Sequence, residues 1–174
     1  LRLNSLTGAY SAANAIKAFR KEPLNYIFGS PEEEEVRAKV GATIRAAKLK
    51  YDMRHLTVAA VGHTPQGFGF GRALDLEMLE NFGASLESIE ARELIDIAKG
   101  YSDEDVKDYL ADAGERMCGL ENTPEQNRKD FARLYRAYKE YVTDHHVGAL
   151  ASRCWPDFFT AFGTPVCAVL AMLN

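Results

Sequence analysis

Apolar positions along the chain switch between a helical and a strand-like period, and that switching predicts the fold class. Residues 9–21 place Ala12, Ala15, Ile16 and Phe19 on one helical face. Residues 24–28 read as a short strand ended by Gly29. Ser30-Pro31-Glu32-Glu33 then marks a helix start, with Ser30 as cap, Pro31 in the first helical position and Glu33 completing a capping box. Val36, Val40, Ile44 and Ala47 continue that helix with one stripe, which predicts a buried face. Residues 56–61 are continuously apolar and rich in β-branched types, the pattern of a strand buried on both faces of a parallel sheet.

A glycine-rich loop over residues 62–71 follows, then a helix through Leu74, Met78, Leu79 and Phe82 that Gly83 closes. Residues 84–89 are expected as a strand and 91–99 as a helix stopped by Gly100. Ser102 caps a helix through Val106, Tyr109, Leu110 and Ala113. Thr123-Pro124-Glu125-Gln126 repeats the capping-box pattern and opens a long helix striped by Phe131, Leu134, Tyr135, Tyr138 and Val142. Residues 148–152 read as a small-residue strand leading into the loop 153–157. Strands separated by helices of this length need crossover connections. The expectation is one Rossmann-like three-layer α/β/α domain over residues 1–174 with a mostly parallel sheet. Ligands of such sheets bind outside the carboxyl ends of the strands, so the loops 62–71 and 153–157 are the candidate site.

Composition narrows the function classes. The charge balance is 21 − 25 = −4, against the basic patch that nucleic-acid binding requires. The acidic run Glu32 to Glu35 falls in a helix first turn, which favours acids, and reads as a solvated face. The three cysteines are odd in number and lack C-x-x-C spacing, which suits free thiols in a reducing cytosol. No apolar run approaches the ~20 residues of a membrane span, and no signal-peptide pattern opens the chain. A cytoplasmic protein with no membrane or nucleic-acid partner is expected. The chain opens on Leu1 and stops at Asn174 directly after an apolar stretch, which reads as a piece of something longer.

The glycine loop fails both nucleotide fingerprints. After Gly67 and Gly69 the dinucleotide pattern needs a third glycine where Arg72 stands, and Phe68 after Gly67 excludes the G-K-[S/T] ending of the other. Its glycines serve either close backbone approach to a ligand or only the turns of a long loop. Gln66 and Phe68 would offer an amide and an apolar wall to a small polar substrate. Arg153-Cys154-Trp155-Pro156-Asp157 holds the single tryptophan beside opposite charges. That mixture suits a sugar, with an aromatic face for C–H groups and charged groups for hydroxyls. The competing reading anchors Trp155 in the core and pairs Arg153 with Asp157 locally. Cys154 reads as an inert thiol, because no histidine or asparagine is tied to it by a nucleophile pattern. His55 reads as surface, His63 sits in the glycine loop, and His145 and His146 diverge by about 100° if helical, which disfavours a shared metal ion. The residues supply no catalytic set and no metal set.

At these two loops the chain resembles the L-fucose isomerase-like proteins. Val61-Gly62-His63-Thr64-Pro65-Gln66-Gly67-Phe68 is similar to their G-x-x-P-x-G-F loop, and Phe82-Gly83-Ala84-Ser85-Leu86 to their strand entry. Ala151-Ser152-Arg153-Cys154-Trp155-Pro156-Asp157 is similar to their R-C-W-P-acid segment, and Pro165-Val166-Cys167-Ala168-Val169-Leu170 to the segment after it. The opening Leu3-Asn4-Ser5-Leu6-Thr7-Gly8 adds to the match. The resemblance implies the middle domain of a homo-oligomeric, three-domain aldose–ketose isomerase. Such enzymes work through a cis-enediol with Mn²⁺ or another divalent metal. It places the metal-ligating glutamate just downstream of Leu173, with aspartate and histidine later still, so no metal ligand or proton-transfer residue carries over to this chain. What carries over is a substrate-lining role for Gln66, Phe68, Arg153 and Trp155. A sugar- or small-molecule-sensing Rossmann-like module without chemistry is the alternative.

Overall fold

The computed structural model describes residues 2–19, 24–65, 67–68 and 73–174, so Gln66 lies outside the described residues. The chain gathers into two compact units, Leu1–Lys48 and Leu49–Asn174. The first unit holds α1 (Arg2–Lys17) and most of α2 (Glu34–Arg54). Before α2, the Ser30 backbone N–H donates to Glu33 Oε1 at 2.9 Å, one half of the expected capping box. The Ser30 hydroxyl turns to Glu32 instead.

Two expectations fail in this region. Residues 24–28 are not a strand. No described strand pairs with them, and a run of five without a ladder leaves its backbone donors and acceptors to water. The α2 stripe is not buried either: the helix has no buried residue, and Val40 and Ile44 stand exposed. Periodicity selects a face but does not supply what covers it.

The second unit carries the sheet. β1 (Thr57–Val61), β2 (Ser85–Ile89) and β3 (Ala149–Ser152) are all parallel, in the order β2-β1-β3. Val58 sits opposite Leu86 on one side and Ala149 on the other, which fixes the register. α3 (Asp75–Phe82) joins β1 to β2 and ends at Gly83, whose φ of 75° frees its N–H to bond the Leu79 carbonyl. α4 (Ala91–Gly100), α5 (Lys107–Arg116) and α6 (Glu125–Asp144) carry the chain from β2 to β3, and α7 (Cys167–Leu173) follows. β2 and β3 flank β1 on opposite sides, so right-handed crossovers must run over opposite faces of the sheet. The chain is therefore Rossmann-like α/β, and β1 is where the strand order reverses.

The core lies between β1 and the α4–α6 layer. α4 buries Ala91, Leu94, Ile95 and Ala98, an i, i+3, i+4, i+7 stripe. α6 answers with Phe131, Leu134, Tyr135 and Tyr138, and β1 contributes Ala59 and Val61. Each fully buried leucine or isoleucine here is worth about 1.5–3 kcal/mol. Polar clamps set the orientation. Arg133 Nε donates to the Tyr101 carbonyl at 3.0 Å, and its Nη1 reaches Asp130 at 2.7 Å.

The capping signals divide. Ser102 and Asp105 form a full reciprocal box, with Ser102 N–H to Asp105 Oδ2 at 2.9 Å and Asp105 N–H to Ser102 Oγ at 3.3 Å. The box expected at Thr123 does not form. α6 begins one residue later, after Pro124, so Gln126 points along the helix and bonds Asp130 at 3.0 Å.

Candidate functional site

Two loops meet at the carboxyl ends of β1 and β3, the crevice where the strand order reverses. Both are stitched to strand ends. Gly62 N–H donates to the Ile89 carbonyl at 2.8 Å, and Arg153 N–H donates to the Val61 carbonyl at 2.9 Å. Between these loops, α3 and the second face of the sheet lies a cavity of about 800 Å³. Its wall includes Val58, Ala60 and Leu86 from the strands, Met78 from α3, and Phe68 and Arg153 from the loops. The wall is mainly apolar with a few polar groups at the loop end, the usual make-up of a small-molecule site.

Arg153 is tied to its own loop. Its Nε–H points to the Trp155 carbonyl at 3.2 Å, while Nε lies 2.7 Å from Asp157 Oδ2. With the Nε–H aimed at that carbonyl, Asp157 Oδ2 is buried beside the charge without a hydrogen-bond donor among the described residues. The aliphatic part of Arg153 lies over Gly62, where an added Cβ would sit 3.2 Å from both Cβ and Cδ of Arg153. The local Arg153–Asp157 pair is therefore real. The accompanying expectation, Trp155 in the core, is overturned: Trp155 is 61% exposed.

Behind this loop, the Tyr138 hydroxyl on α6 lies 2.8 Å from Ser152 Oγ. Burial pushes the Tyr138 phenol up, only partly offset by that hydrogen bond. Cys154 also has its thiol raised, first by burial, against backbone N–H groups of Val166 and Cys167 that favour the thiolate. Its Sγ lies 3.7 Å from Cys167 Sγ, a pairing that a separation of 13 residues does not announce. In the glycine loop, His63 Nε2 lies 2.9 Å from Glu90 Oε1, both side chains exposed.

Of the four residues singled out from sequence, the structure brings Phe68 and Arg153 onto one cavity wall. Trp155 lies outside that wall, and Gln66 falls outside the described residues. Among the described residues no three His, Cys, Asp or Glu gather in a set able to hold a metal ion. They do not fit the divalent metal that the resemblance implies. Nor is any helix of the described residues long and apolar enough to cross a membrane.

No family model matches the chain. It is 60% identical over all 174 residues to a sulfoquinovose isomerase of Clostridium sp. (strain MSTE9). Over the same 174 residues it is 30% identical to a sulfoquinovose isomerase of Alkalicoccus urumqiensis and 29% identical to one of Priestia aryabhattai. In each case the chain spans 39% of the relative's length. The homologues are thus sugar isomerases, which meets the expected resemblance at that coarser level.

Proposed function

We propose that this chain is the Rossmann-like domain of a cytoplasmic, homo-oligomeric aldose–ketose isomerase of the L-fucose isomerase-like kind, acting on a sulfonated aldose such as sulfoquinovose. The 60% identity to a sulfoquinovose isomerase along all 174 residues carries this reading. The cavity at the reversal point of the sheet supports it, since its wall joins apolar side chains to the Arg153 cation.

In this reading the domain binds and orients; it does not move the proton. Phe68 covers C–H surface of the sugar, and the Arg153 guanidinium donates to hydroxyl or sulfonate oxygens. Asp157 and the Trp155 carbonyl hold Arg153 still, so little ordering is lost when substrate arrives. Gln66 belongs to the same loop as Phe68, and Trp155 presents an exposed indole on the neighbouring one. The divalent metal that the resemblance implies, Mn²⁺ or similar, would supply Lewis-acid chemistry at the substrate carbonyl. Its ligands and the proton-transferring acid belong to other parts of the longer protein.

The test is direct. The full-length protein is incubated with sulfoquinovose and Mn²⁺, and the ketose is followed by NMR. Interconversion that EDTA stops and Mn²⁺ restores is the expected result. No ketose with any divalent metal overturns the activity, and turnover by residues 1–174 alone overturns the division of labour.

A further inference from the structure

The loop after β3 and the first residue of α7 bring two thiols together that neither the fold nor the cavity requires. Cys154 Sγ and Cys167 Sγ are 3.7 Å apart, whereas a disulfide needs about 2.05 Å, so closure asks for a movement of about 1.7 Å. Cys154 is half-buried, and Cys167 is exposed and open to an oxidant. Phe158 and Val166, fully buried between the two cysteines, anchor the intervening segment and keep the sulfurs close. Phe158 N–H donates to the Cys154 carbonyl at 3.3 Å, and Gly163 N–H to the Phe158 carbonyl at 2.8 Å, which fixes the turn that returns the chain. The third cysteine, Cys118, is exposed and follows α5.

We propose that Cys154 and Cys167 form an oxidation site, a dithiol that a peroxide converts to an intramolecular disulfide beside Arg153. The electron count closes with one equivalent of oxidant. Peroxide first takes two electrons from the exposed Cys167 thiol, giving a sulfenic acid and one water. The Cys154 sulfur then attacks the Cys167 sulfur, the S–S bond forms, and the hydroxyl leaves as a second water with the Cys154 proton. Burial holds the Cys154 thiol up, so the closing step quickens as pH rises. The product ties the residue next to Arg153 to the start of α7, so oxidation acts on the wall of the cavity. This inference rests on sulfur geometry and does not depend on the isomerase reading.

The full-length protein is titrated with hydrogen peroxide, its remaining thiols are alkylated, and a non-reducing digest is mapped by mass spectrometry. The expected result is one intramolecular Cys154–Cys167 cross-link, reversed by dithiothreitol, with both cysteines lost from alkylation together. Cys154→Ser and Cys167→Ser each abolish it, and Cys118→Ser leaves it unchanged. Cross-links through Cys118 alone, or sulfinic acid at Cys167 at the same rate with and without Cys154, would overturn the proposal. Each serine variant is checked by circular dichroism, so that misfolding is not read as protection.

Discussion

Arg153 lies across Gly62, with its Cβ and Cδ each 3.2 Å from where a Cβ on residue 62 would sit. Gly62 also has φ of 76°, a backbone that L side chains rarely adopt. Gly62→Ala therefore meets strain and a close contact at once, and unfolding free energy should fall by about 1–3 kcal/mol. Urea denaturation measures this. A loss below about 0.3 kcal/mol would show that Arg153 moves aside freely, against the fixed cation on which the cavity reading relies.

Three tyrosines around α6 predict alkaline weakness. Tyr101 and Tyr141 are each pushed up to about 12, first by burial and then by hydrogen bonds to Glu140 and Glu87, and burial raises Tyr138 as well. A raised phenol keeps its proton in the folded state while the unfolded chain gives it up from about pH 10 upward. The folded protein then holds more protons, so stability is intact below about pH 10 and falls as pH rises through 12. Tyr138→Phe removes one share of that slope and costs about 0.5–1.5 kcal/mol at neutral pH through the lost bond to Ser152. Denaturation midpoints at pH 8, 10 and 11 check both parts, and a flat profile would contradict them.

How far the chain could be read before its structure depended on the kind of signal. The first strand was legible because residues 57–61 are mainly apolar and include the β-branched Thr57, Val58 and Val61, and Gly83 and Gly100 mark helix ends. The crevice was legible for a topological reason, since the loops after β1 and β3 must meet when β2 lies on the other side. Capping was legible only where the competing residue was absent. Ser102 and Asp105 closed their box, whereas at Thr123 a proline took the cap position. Residues 24–28 have strand composition and no ladder, which is a property of neighbours rather than of the segment. The competing reading of Trp155 as a core anchor failed for the same reason: a large aromatic is often buried, but here no neighbour among the described residues covers it. The Cys154–Cys167 pair gave no spacing signal, because the turn through Phe158 and Gly163 sets it.

Thr164 is buried, and its hydroxyl has no hydrogen-bond partner among the described residues. A buried hydroxyl without a partner costs about 1–3 kcal/mol in lost hydration. Valine keeps the branched shape and removes the polar atom, so Thr164→Val should stabilise the fold by about 1 kcal/mol. Thr164→Ala opens a void in the same place and should lack that gain. If Thr164→Val lowers the urea midpoint, the hydroxyl has a partner, most simply an ordered water.

Phe68 and Trp155 separate a pocket wall from a merely exposed aromatic. Both side chains are more than half exposed, Phe68 at 53% and Trp155 at 61%, so truncating either removes little buried surface. Melting temperatures of Phe68→Ala and Trp155→Ala should stay within about 3 °C of the parent. Their kinetics should differ, because only Phe68 lies on the cavity wall. On the proposed function, Phe68→Ala in the full-length protein should raise KM for sulfoquinovose about tenfold, a loss of ~1.4 kcal/mol in substrate contact, with kcat little changed. Trp155→Ala should leave KM within about twofold unless the indole reaches substrate from its own loop. A larger effect at Trp155 than at Phe68 would move the main substrate contact from the glycine loop to the outer part of the 153–157 loop.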